Sequence, residues 1–214
     1  MERIIKLSVL LLALMMSTAA IAEEVYDFDV DGIYYKILEN GNEVSVTYKT
    51  YYYSSHTAHY ESDYTGDVVI PATVTFNGKT FKVTEIGDHA FYHRGSVTSV
   101  TIPSSIAVIR YDAFGYCFGL EKVTCKGTIP PTTLYDIIYP GDVYLNGVLH
   151  VPSVAVRAYV QHITWGQFQT IIGDADEDNP SGDHDWLKCD VNGDGEVNIA
   201  DVNMVIDGIF GQEF

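Results

Sequence analysis

The chain has 214 residues, and its 29 acidic and 12 basic side chains give a formal net charge of −17 at pH 7. This excess of negative charge repels nucleic acids and anionic membrane surfaces, so the sequence argues against both as partners. Hydrophobic residues make up 47% of the chain, which favours a folded core over an acidic disordered protein.

The N-terminal segment, from Met1 to Ala22, has the layout of a secretory signal peptide. Arg3 and Lys6 form a short basic start, residues 7–16 an apolar run, and residues 20–22 a small-residue cleavage site. We expect cleavage after Ala22 and a protein that is secreted or held at the cell surface. The apolar run is too short to span a membrane and no later segment is longer, so the sequence predicts no transmembrane segment.

Residues 23–66 predict an N-terminal β cap that is rich in tyrosine. One interpretation is an edge hairpin whose tyrosines alternate between core and solvent, because strands favour this residue. The other is a binding surface, because a tyrosine ring offers a flat apolar face and one hydroxyl to sugars or partner proteins. The residues concerned are Tyr48, Tyr51, Tyr52, Tyr53, Tyr60 and Tyr64.

Short β strands are predicted through the rest of the region. Apolar residues alternate on both sides of Asn77 and Gly78, which predicts a hairpin with a type I′ turn, since that turn needs positive φ twice. Three further runs of β-branched residues end at Pro71, Pro103 and Pro152, which cannot donate to a strand ladder. The sequence therefore predicts a mainly β fold.

The central region repeats itself at one constant spacing, the interval from Ile86 to Ile109. A fixed period of about 20–29 residues with apolar positions is the signature of a leucine-rich-repeat solenoid. Each unit cannot bury its own apolar face, so equivalent residues of stacked units form ladders through the core. The matched pairs are Ile86 and Ile109, Ala90 and Ala113, Phe91 and Phe114, Val97 and Leu120, and Val100 and Val123.

The repeated phrase also resembles a known family. Val-x-x-Ile-Gly-x-x-Ala-Phe at 83–91 and x-Val-Thr-Ile-Pro at 99–103 resemble the BspA-like leucine-rich repeats of bacterial surface proteins. The resemblance extends over most of residues 25–173. It implies a short solenoid at 67–173 with covered ends, and a binding or adhesion protein whose solenoid presents a surface to a protein or glycan ligand.

The three cysteines are Cys117, Cys125 and Cys189. An odd count argues against a disulfide-dense scaffold. A Cys117–Cys125 bridge and buried free thiols are both open interpretations. Cys117 takes the place of Arg94 in the previous repeat, and we expect it to be buried beside Phe114.

Residues 174–188 predict an extended acidic linker, and residues 189–214 a calcium loop followed by a helix. Oxygen-bearing side chains fall at loop positions 1, 3, 5, 9 and 12, and Gly195 at position 6 permits the bend. The side chain at position 12 is aspartate, which predicts modest affinity and competition by magnesium. The predicted Ca²⁺ ligands are Asp190, Asn192, Asp194, Glu196 (through its peptide carbonyl), Asn198 and Asp201.

Asn198 can cap a helix that runs to about Phe210 with one apolar stripe. The loop and helix resemble half of a type I dockerin, a family in which two such units together bind a cohesin. The resemblance implies that Ile199 and Ala200 face the partner. With one unit in this sequence, the stripe is expected to pack on the solenoid, a second copy or a cohesin-like protein.

The sequence lacks a nucleophile elbow, a phosphate-binding glycine loop and a paired Cys and His nucleophile, so we expect no enzymatic activity. His89 and His93 could share a metal only if both lay on one helix. We favour the interpretation that the two histidines are exposed and unrelated. The expected function is therefore exported, non-catalytic binding. The alternative is an assembly component that the dockerin-like tail tethers to a polysaccharide-degrading complex.

Overall fold

The structure, a computed structural model, describes residues 22–134 and 147–174. The predicted signal peptide before Ala22, the linker beyond Asp174 and the calcium loop with its helix lie outside the described residues. Within them, no helix is long and apolar enough to cross a membrane.

Strands dominate the described ranges, in agreement with the mainly β prediction. The one α-helix there, α1 (Val156–Val160), lies between 3₁₀ turns at Ser153–Ala155 and Trp165–Gln167. The strands are β1 (Glu23–Glu24), β2 (Phe28–Val30), β3 (Ile33–Ile37), β4 (Glu43–Thr47), β5 (Thr50–Ser54), β6 (Thr57–Glu61), β7 (Gly66–Val69), β8 (Thr73–Phe76), β9 (Lys79–Ile86), β10 (Val97–Ile102), β11 (Val108–Ile109), β12 (Lys122–Cys125), β13 (Thr132–Thr133), β14 (Val148–Val151) and β15 (Thr170–Gly173).

These strands form three sheets. Two of them are the walls of the solenoid: a five-stranded sheet in the order β15-β14-β12-β10-β7, and a sheet in the order β13-β11-β9-β4-β3-β2, with β8 paired to β9. All pairs in the first sheet are parallel, as expected when each turn of a solenoid adds one strand to the same wall. The third sheet, β1-β5-β6, is antiparallel and carries the tyrosine-rich hairpin.

The five-stranded sheet aligns one buried apolar residue from each turn in a single ladder. Its members are Val68, Val100, Val123, Leu149 and Ile171, in register across successive strands. Two of these rungs come from the periodic repeat and three come from segments without its motif. The stack therefore has more turns than the two repeats that the sequence displays.

The predicted hairpin turn is confirmed. Asn77 and Gly78 have φ values of 49° and 77°, and Phe76 pairs with Lys79 across the turn. Asp31 and Gly32 make an equivalent turn between β2 and β3, with φ values of 52° and 79°. Strands β10 and β14 end immediately before Pro103 and Pro152, as predicted.

One hydrophobic core runs from Phe28 in the cap to Ile171 in the last strand. Phe28 closes the first end, stacked on Phe76 at 4.4 Å. Trp165 and Tyr159 close the other end; the Trp165 indole donates to the carbonyl of Pro131, 3.2 Å away. Both ends of the repeat stack are thus covered, which two units alone would need for stability.

Cys117 and Cys125 are both buried and free, so the bridge between them is wrong and the buried-thiol interpretation is confirmed. The Cys117 thiol donates to the carbonyl of Phe91 at 2.8 Å. It lies beside Phe114, whose carbonyl accepts from the Cys117 amide, as the repeat alignment predicted.

Candidate binding surface

Two turns of the solenoid stack directly on each other at one side of the molecule. Residues 87–96 connect β9 to β10, and residues 110–121 connect β11 to β12. The amides of His89, Phe91 and His93 donate to carbonyls of the second turn at 3.0, 2.8 and 2.8 Å. This hydrogen-bonded ladder fixes the two turns in the same conformation, so equivalent side chains lie side by side.

The turns hold four non-glycine residues in the left-handed region. His89 and Asp112 have φ values of 57° and 49°, and His93 and Tyr116 have values of 59° and 58°. Each pair is separated by the repeat length. Glycine would adopt these angles freely, whereas another residue pays about 1–2 kcal/mol. Both turns therefore retain large side chains at a conformational cost, which is typical of functional positions.

Nine aromatic rings from the hairpin sheet and the two turns touch in sequence along this side. We call this set the aromatic strip. Its central ring is Tyr60, which contacts partners on the hairpin and on the first turn. The members are Tyr48, Tyr51, Tyr60, His89, Tyr92, His93, Tyr111, Tyr116 and Phe118.

Two parallel stacks organise the aromatic strip. The Tyr60 and His89 rings lie face to face with centroids 3.9 Å apart and planes within 4°. The His93 and Tyr116 rings do the same at 4.5 Å and 10°. Tyr92 joins the stacks, because its edge meets Tyr60 at 5.5 Å and Tyr116 at 5.4 Å. The His93–Tyr116 stack and the perpendicular contacts of Tyr92 lie within the centroid distances that aromatic pairs favour, and the Tyr60–His89 centroids lie closer together.

The aromatic strip faces solvent and is separate from the core. Tyr111 is 47% exposed and Phe118 63% exposed, and none of the nine rings belongs to the buried core cluster. Large aromatic groups in contact with one another at a surface are uncommon on monomeric proteins and mark interaction sites. The arrangement can accept a planar or apolar group against its rings.

The tyrosines of the cap divide between the two interpretations. Tyr64 is a core residue whose ring packs against Phe91 in a tilted arrangement at 4.6 Å, as the structural interpretation predicted. Tyr51 and Tyr60 pair across the predicted hairpin and lie on the aromatic strip. Tyr52 points to the opposite face, where it stacks on His59 at 4.5 Å. Simple alternation between core and solvent therefore describes only part of the set.

Carboxylates lie beside the strip and affect its titratable groups. Asp88 accepts from the amide of Tyr111 at 3.1 Å, and Asp112 is buried at the base of the second turn. Partial burial raises the pKa of Tyr60, and the negative charges of Asp112 and Asp88 raise it further. Burial lowers the pKa of His89, although the negative charges of the same two carboxylates act to raise it. At neutral pH, Tyr60 is thus a neutral phenol and His89 a neutral imidazole.

Arg94 fastens the hairpin to the first turn. Its guanidinium donates to the carbonyls of Ser62 and Tyr60 at 2.7 and 3.3 Å, and pairs with Glu61 at 3.2 Å. Its Nε donates to the carbonyl of Tyr92 at 3.1 Å. A guanidinium offers five donors in a fixed fork, and here the fork links both elements that carry the strip. Arg94 is therefore a positioning residue for the surface.

A separate cleft of about 560 Å³ lies between the cap and the first strands of the solenoid. Two of the carboxylates that line it, Asp63 and Asp67, already have partners. Asp63 accepts from the Tyr34 hydroxyl at 2.6 Å and from Lys49 at 2.8 Å. Asp67 accepts from Thr98 and Ser99 at 3.0 and 2.7 Å. The first set of bonds lies within the cap and the second joins β7 to β10 of the five-stranded sheet, so we assign the cleft a structural role.

The comparison with protein families agrees with the repeat geometry. The family model described as "BspA type Leucine rich repeat region (6 copies)" matches residues 60–135. This part of the chain is thus similar to the BspA-type leucine-rich repeats. The match includes both turns of the aromatic strip and begins at its central ring. No curated protein matches the sequence.

Solved structures of leucine-rich-repeat proteins are similar to this chain at low identity. One from Bacteroides ovatus is 23% identical, and the match covers 69% of this chain and 29% of that protein with a TM-score of 0.40. One from Bacteroides capillosus is 22% identical, and the match covers 67% of this chain and 95% of that protein with a TM-score of 0.41. A leucine rich cell surface protein from Faecalibacterium prausnitzii is 20% identical, and the match covers 74% of this chain and 46% of that protein with a TM-score of 0.38. The chain thus spans less than half the length of the first and third.

The predicted metal and partner residues lie outside the described residues. The six calcium ligands between Asp190 and Asp201, and the partner-facing Ile199 and Ala200, stay predictions for that reason. Residues 22–134 and 147–174 contain no group of three or more His, Cys, Asp or Glu side chains placed to hold a metal. His89 and His93 lie on a turn and each stacks on an aromatic ring, so the helical spacing that a shared metal would need is not present.

Sequence reasoning missed the contribution of the repeat turns to this surface. Tyr92, Tyr111, Tyr116 and Phe118 are not among the candidates that it singles out. A signal was available, because His93 and Tyr116 are both aromatic at equivalent variable positions of the repeat. Neither residue belongs to the buried core, so aromatic side chains at these two positions indicate a surface function.

Proposed function

We propose that this protein is an exported, non-catalytic binding protein of a bacterial surface, and that the aromatic strip is the surface that contacts its protein or glycan ligand. The observation that carries the proposal is the continuous series of partly exposed rings on two stacked repeat turns. The turns keep His89, His93 and Tyr116 at positive φ, where side chains are costly. The BspA-type match supports a solenoid that displays a surface.

The surface is suited to recognition because it is preorganised. Backbone hydrogen bonds between the turns and the Arg94 fork fix the rings before any ligand arrives. A rigid aromatic surface loses little side-chain entropy on binding, which is why tyrosine is enriched at interfaces. The tyrosine hydroxyls and neutral histidines add hydrogen-bonding groups at the ring edges.

A binding array tests the proposal. The calcium-loaded full chain is applied to immobilised matrix proteins and glycans, beside a Tyr111→Ala/Phe118→Ala double variant and a Tyr52→Ala control. Tyr111 and Phe118 are substantially exposed. Tyr52 lies on the β5–β6 hairpin, on the face opposite to the strip residues Tyr51 and Tyr60. We expect a ligand whose signal falls about tenfold or more in the double variant and little in the control. Absence of any ligand, or equal binding by the double variant, contradicts the proposal.

For the C-terminal segment we infer a role in attachment. The ligand set from Asp190 to Asp201 would hold one Ca²⁺ and order the following helix, whose apolar stripe needs a partner. The alternative function, assembly into a polysaccharide-degrading complex, rests on the same dockerin-like pattern and on Ile199 and Ala200. Pull-down with the full chain and with a chain lacking 174–214 separates the two: loss of the partner with the tail favours assembly, and retention favours the solenoid surface.

A further inference from the structure

We propose that the partner of the aromatic strip is a basic polypeptide segment, whose arginine or lysine side chains lie over the exposed rings and pair with adjacent carboxylates. The inference rests on the proposed function and deepens it by naming the chemistry of the ligand. It follows from the charges around the strip, the exposure of its outer rings and the position of Asp88.

The charge around the strip is negative, and the basic side chains beside it are already paired. Arg94 pairs with Glu61 and three backbone carbonyls, and Arg110 pairs with Glu85 at 2.8 Å. Asp88 and Asp112 add negative charge to the same turns, close enough to Tyr60 and His89 to affect both. Arg110 also interacts electrostatically with Asp88, so the two guanidinium groups offset part of this negative charge. The four carboxylates still outnumber the two guanidinium groups, so the local field favours a cation.

The outer rings can receive a cation. The face of an aromatic ring is negative, and a cation within about 6 Å of its centroid is attracted to it. The chain already makes this contact elsewhere, because Lys79 lies over Phe81 with its nitrogen 4.9 Å from the ring centroid. Tyr111 and Phe118 are strip members with exposed side chains, at 47% and 63%, so an incoming guanidinium can reach their ring faces.

Asp88 is held by the residue that carries one of these exposed rings, Tyr111. The Asp88 Oδ1 accepts from the backbone amide of Tyr111 at 3.1 Å, which holds an exposed carboxylate at the residue of the neighbouring turn that carries an exposed ring. A guanidinium over Tyr111 would donate a charge-assisted hydrogen bond to the Asp88 carboxylate in addition to making the ring contact. A neutral sugar would gain the ring contact without the charge, and an anionic glycan would be repelled by a chain of net charge −17.

The test uses a fluorescein-labelled dodecapeptide of alternating arginine and glycine, with a citrulline version as its neutral counterpart. Binding to the full chain is followed by fluorescence anisotropy at about 50 and 300 mM salt. The Asp88→Asn variant keeps the acceptor for the Tyr111 amide and removes the charge. Asp29→Asn is the matched control, because Asp29 is exposed on edge strand β2 and carries the same charge.

We expect the arginine peptide to bind, with affinity about tenfold lower at high salt and on replacement by citrulline. Asp88→Asn should weaken binding about fivefold or more and Asp29→Asn less than about twofold. Equal effects of the two substitutions, or equal binding of the citrulline peptide, would overturn the inference.

Failure of this inference is distinguishable from failure of the proposed function. If a neutral oligosaccharide or an uncharged protein surface binds and Phe118→Ala abolishes that binding, the strip is a binding surface of another specificity and only the basic-segment inference is wrong. If Phe118→Ala binds every ligand as the unmodified chain does, the strip is not the binding surface and both are wrong.

Discussion

Phe91 and Phe114 occupy equivalent positions in consecutive turns, and their rings stack with centroids 5.1 Å apart and planes 13° apart. Tyr64 of the cap packs against Phe91 in a tilted arrangement, with ring centroids 4.6 Å apart. This buried series lies under the turns that carry the aromatic strip. The core therefore supports the surface, because the same turns that bury one set of rings present another.

The buried stack predicts a strong effect of Phe114→Ala on stability. The substitution removes a fully buried ring from between two turns, and we expect the free energy of unfolding to fall by roughly 3–5 kcal/mol. Phe118→Ala, at an exposed position of the same turn, should change it by less than about 0.5 kcal/mol. Urea denaturation of the two variants measures both values, and equal losses would contradict the assignment of Phe114 to the core and Phe118 to the surface.

The buried thiols should be inert in the folded protein. Burial raises the pKa of Cys117 to about 12, and burial also raises the pKa of Cys125. Because the thiolate is the reactive form, a Cys189→Ser variant should show almost no reaction with a disulfide reagent at about pH 8 and two reactive thiols in urea. Rapid labelling of the native variant, or a mass that shows a disulfide under non-reducing conditions, would contradict this.

Acidification should lower stability through the partly buried histidines. Burial lowers the pKa of His89, His93 and His162 below the ordinary value of 6.5. The unfolded chain therefore binds more protons as the pH falls through 6.5 towards the folded-state values, so the folded state loses stability in that window. Urea denaturation between about pH 7.5 and 5.5 measures the slope. His89→Gln should flatten it, and an unchanged slope would show that His89 does not contribute.

The sequence predicted those features of the fold that are local or strictly periodic. Asn77 and Gly78 define their turn by themselves, and Ile86 and Ile109 reveal the stack through an unvarying spacing. The remaining rungs were hidden because the ladder residues are unevenly spaced along the chain, and only the step from Val100 to Val123 equals the repeat interval. The ladder comprises Val68, Val100, Val123, Leu149 and Ile171.

The aromatic strip was less accessible to sequence reasoning than the core. Its central contact joins Tyr60 of the hairpin to His89 of the first turn, and no periodic pattern links a cap to a repeat. The hairpin tyrosines could be recognised as candidates because they cluster. The turn residues that contact Tyr60, His89 and Tyr92, could not be recognised as its partners. The side of the cap that meets the solenoid depends on the hydrogen bonds of Arg94 and on packing around Tyr64.

The C-terminal loop should bind about one calcium ion per chain. Asp190→Ala and Asp201→Ala each remove a charged ligand, and we expect either to abolish binding in calorimetric titration. Calcium should raise the melting temperature of the tail with little effect on the solenoid, because few contacts are expected to cross the acidic linker. The prediction is wrong if calcium neither binds nor changes the melting profile.

Dissociation constants of the Phe118→Ala and Ile163→Ala variants for one ligand identified on the array test directly whether the aromatic strip is the binding surface. Phe118 is 63% exposed at the end of the aromatic strip, and Ile163 is 85% exposed near the C-terminal 3₁₀ turn, so neither substitution should unfold the chain. If the strip is the binding surface, Phe118→Ala weakens binding about tenfold and Ile163→Ala leaves it unchanged. Equal dissociation constants for the two variants would contradict the account.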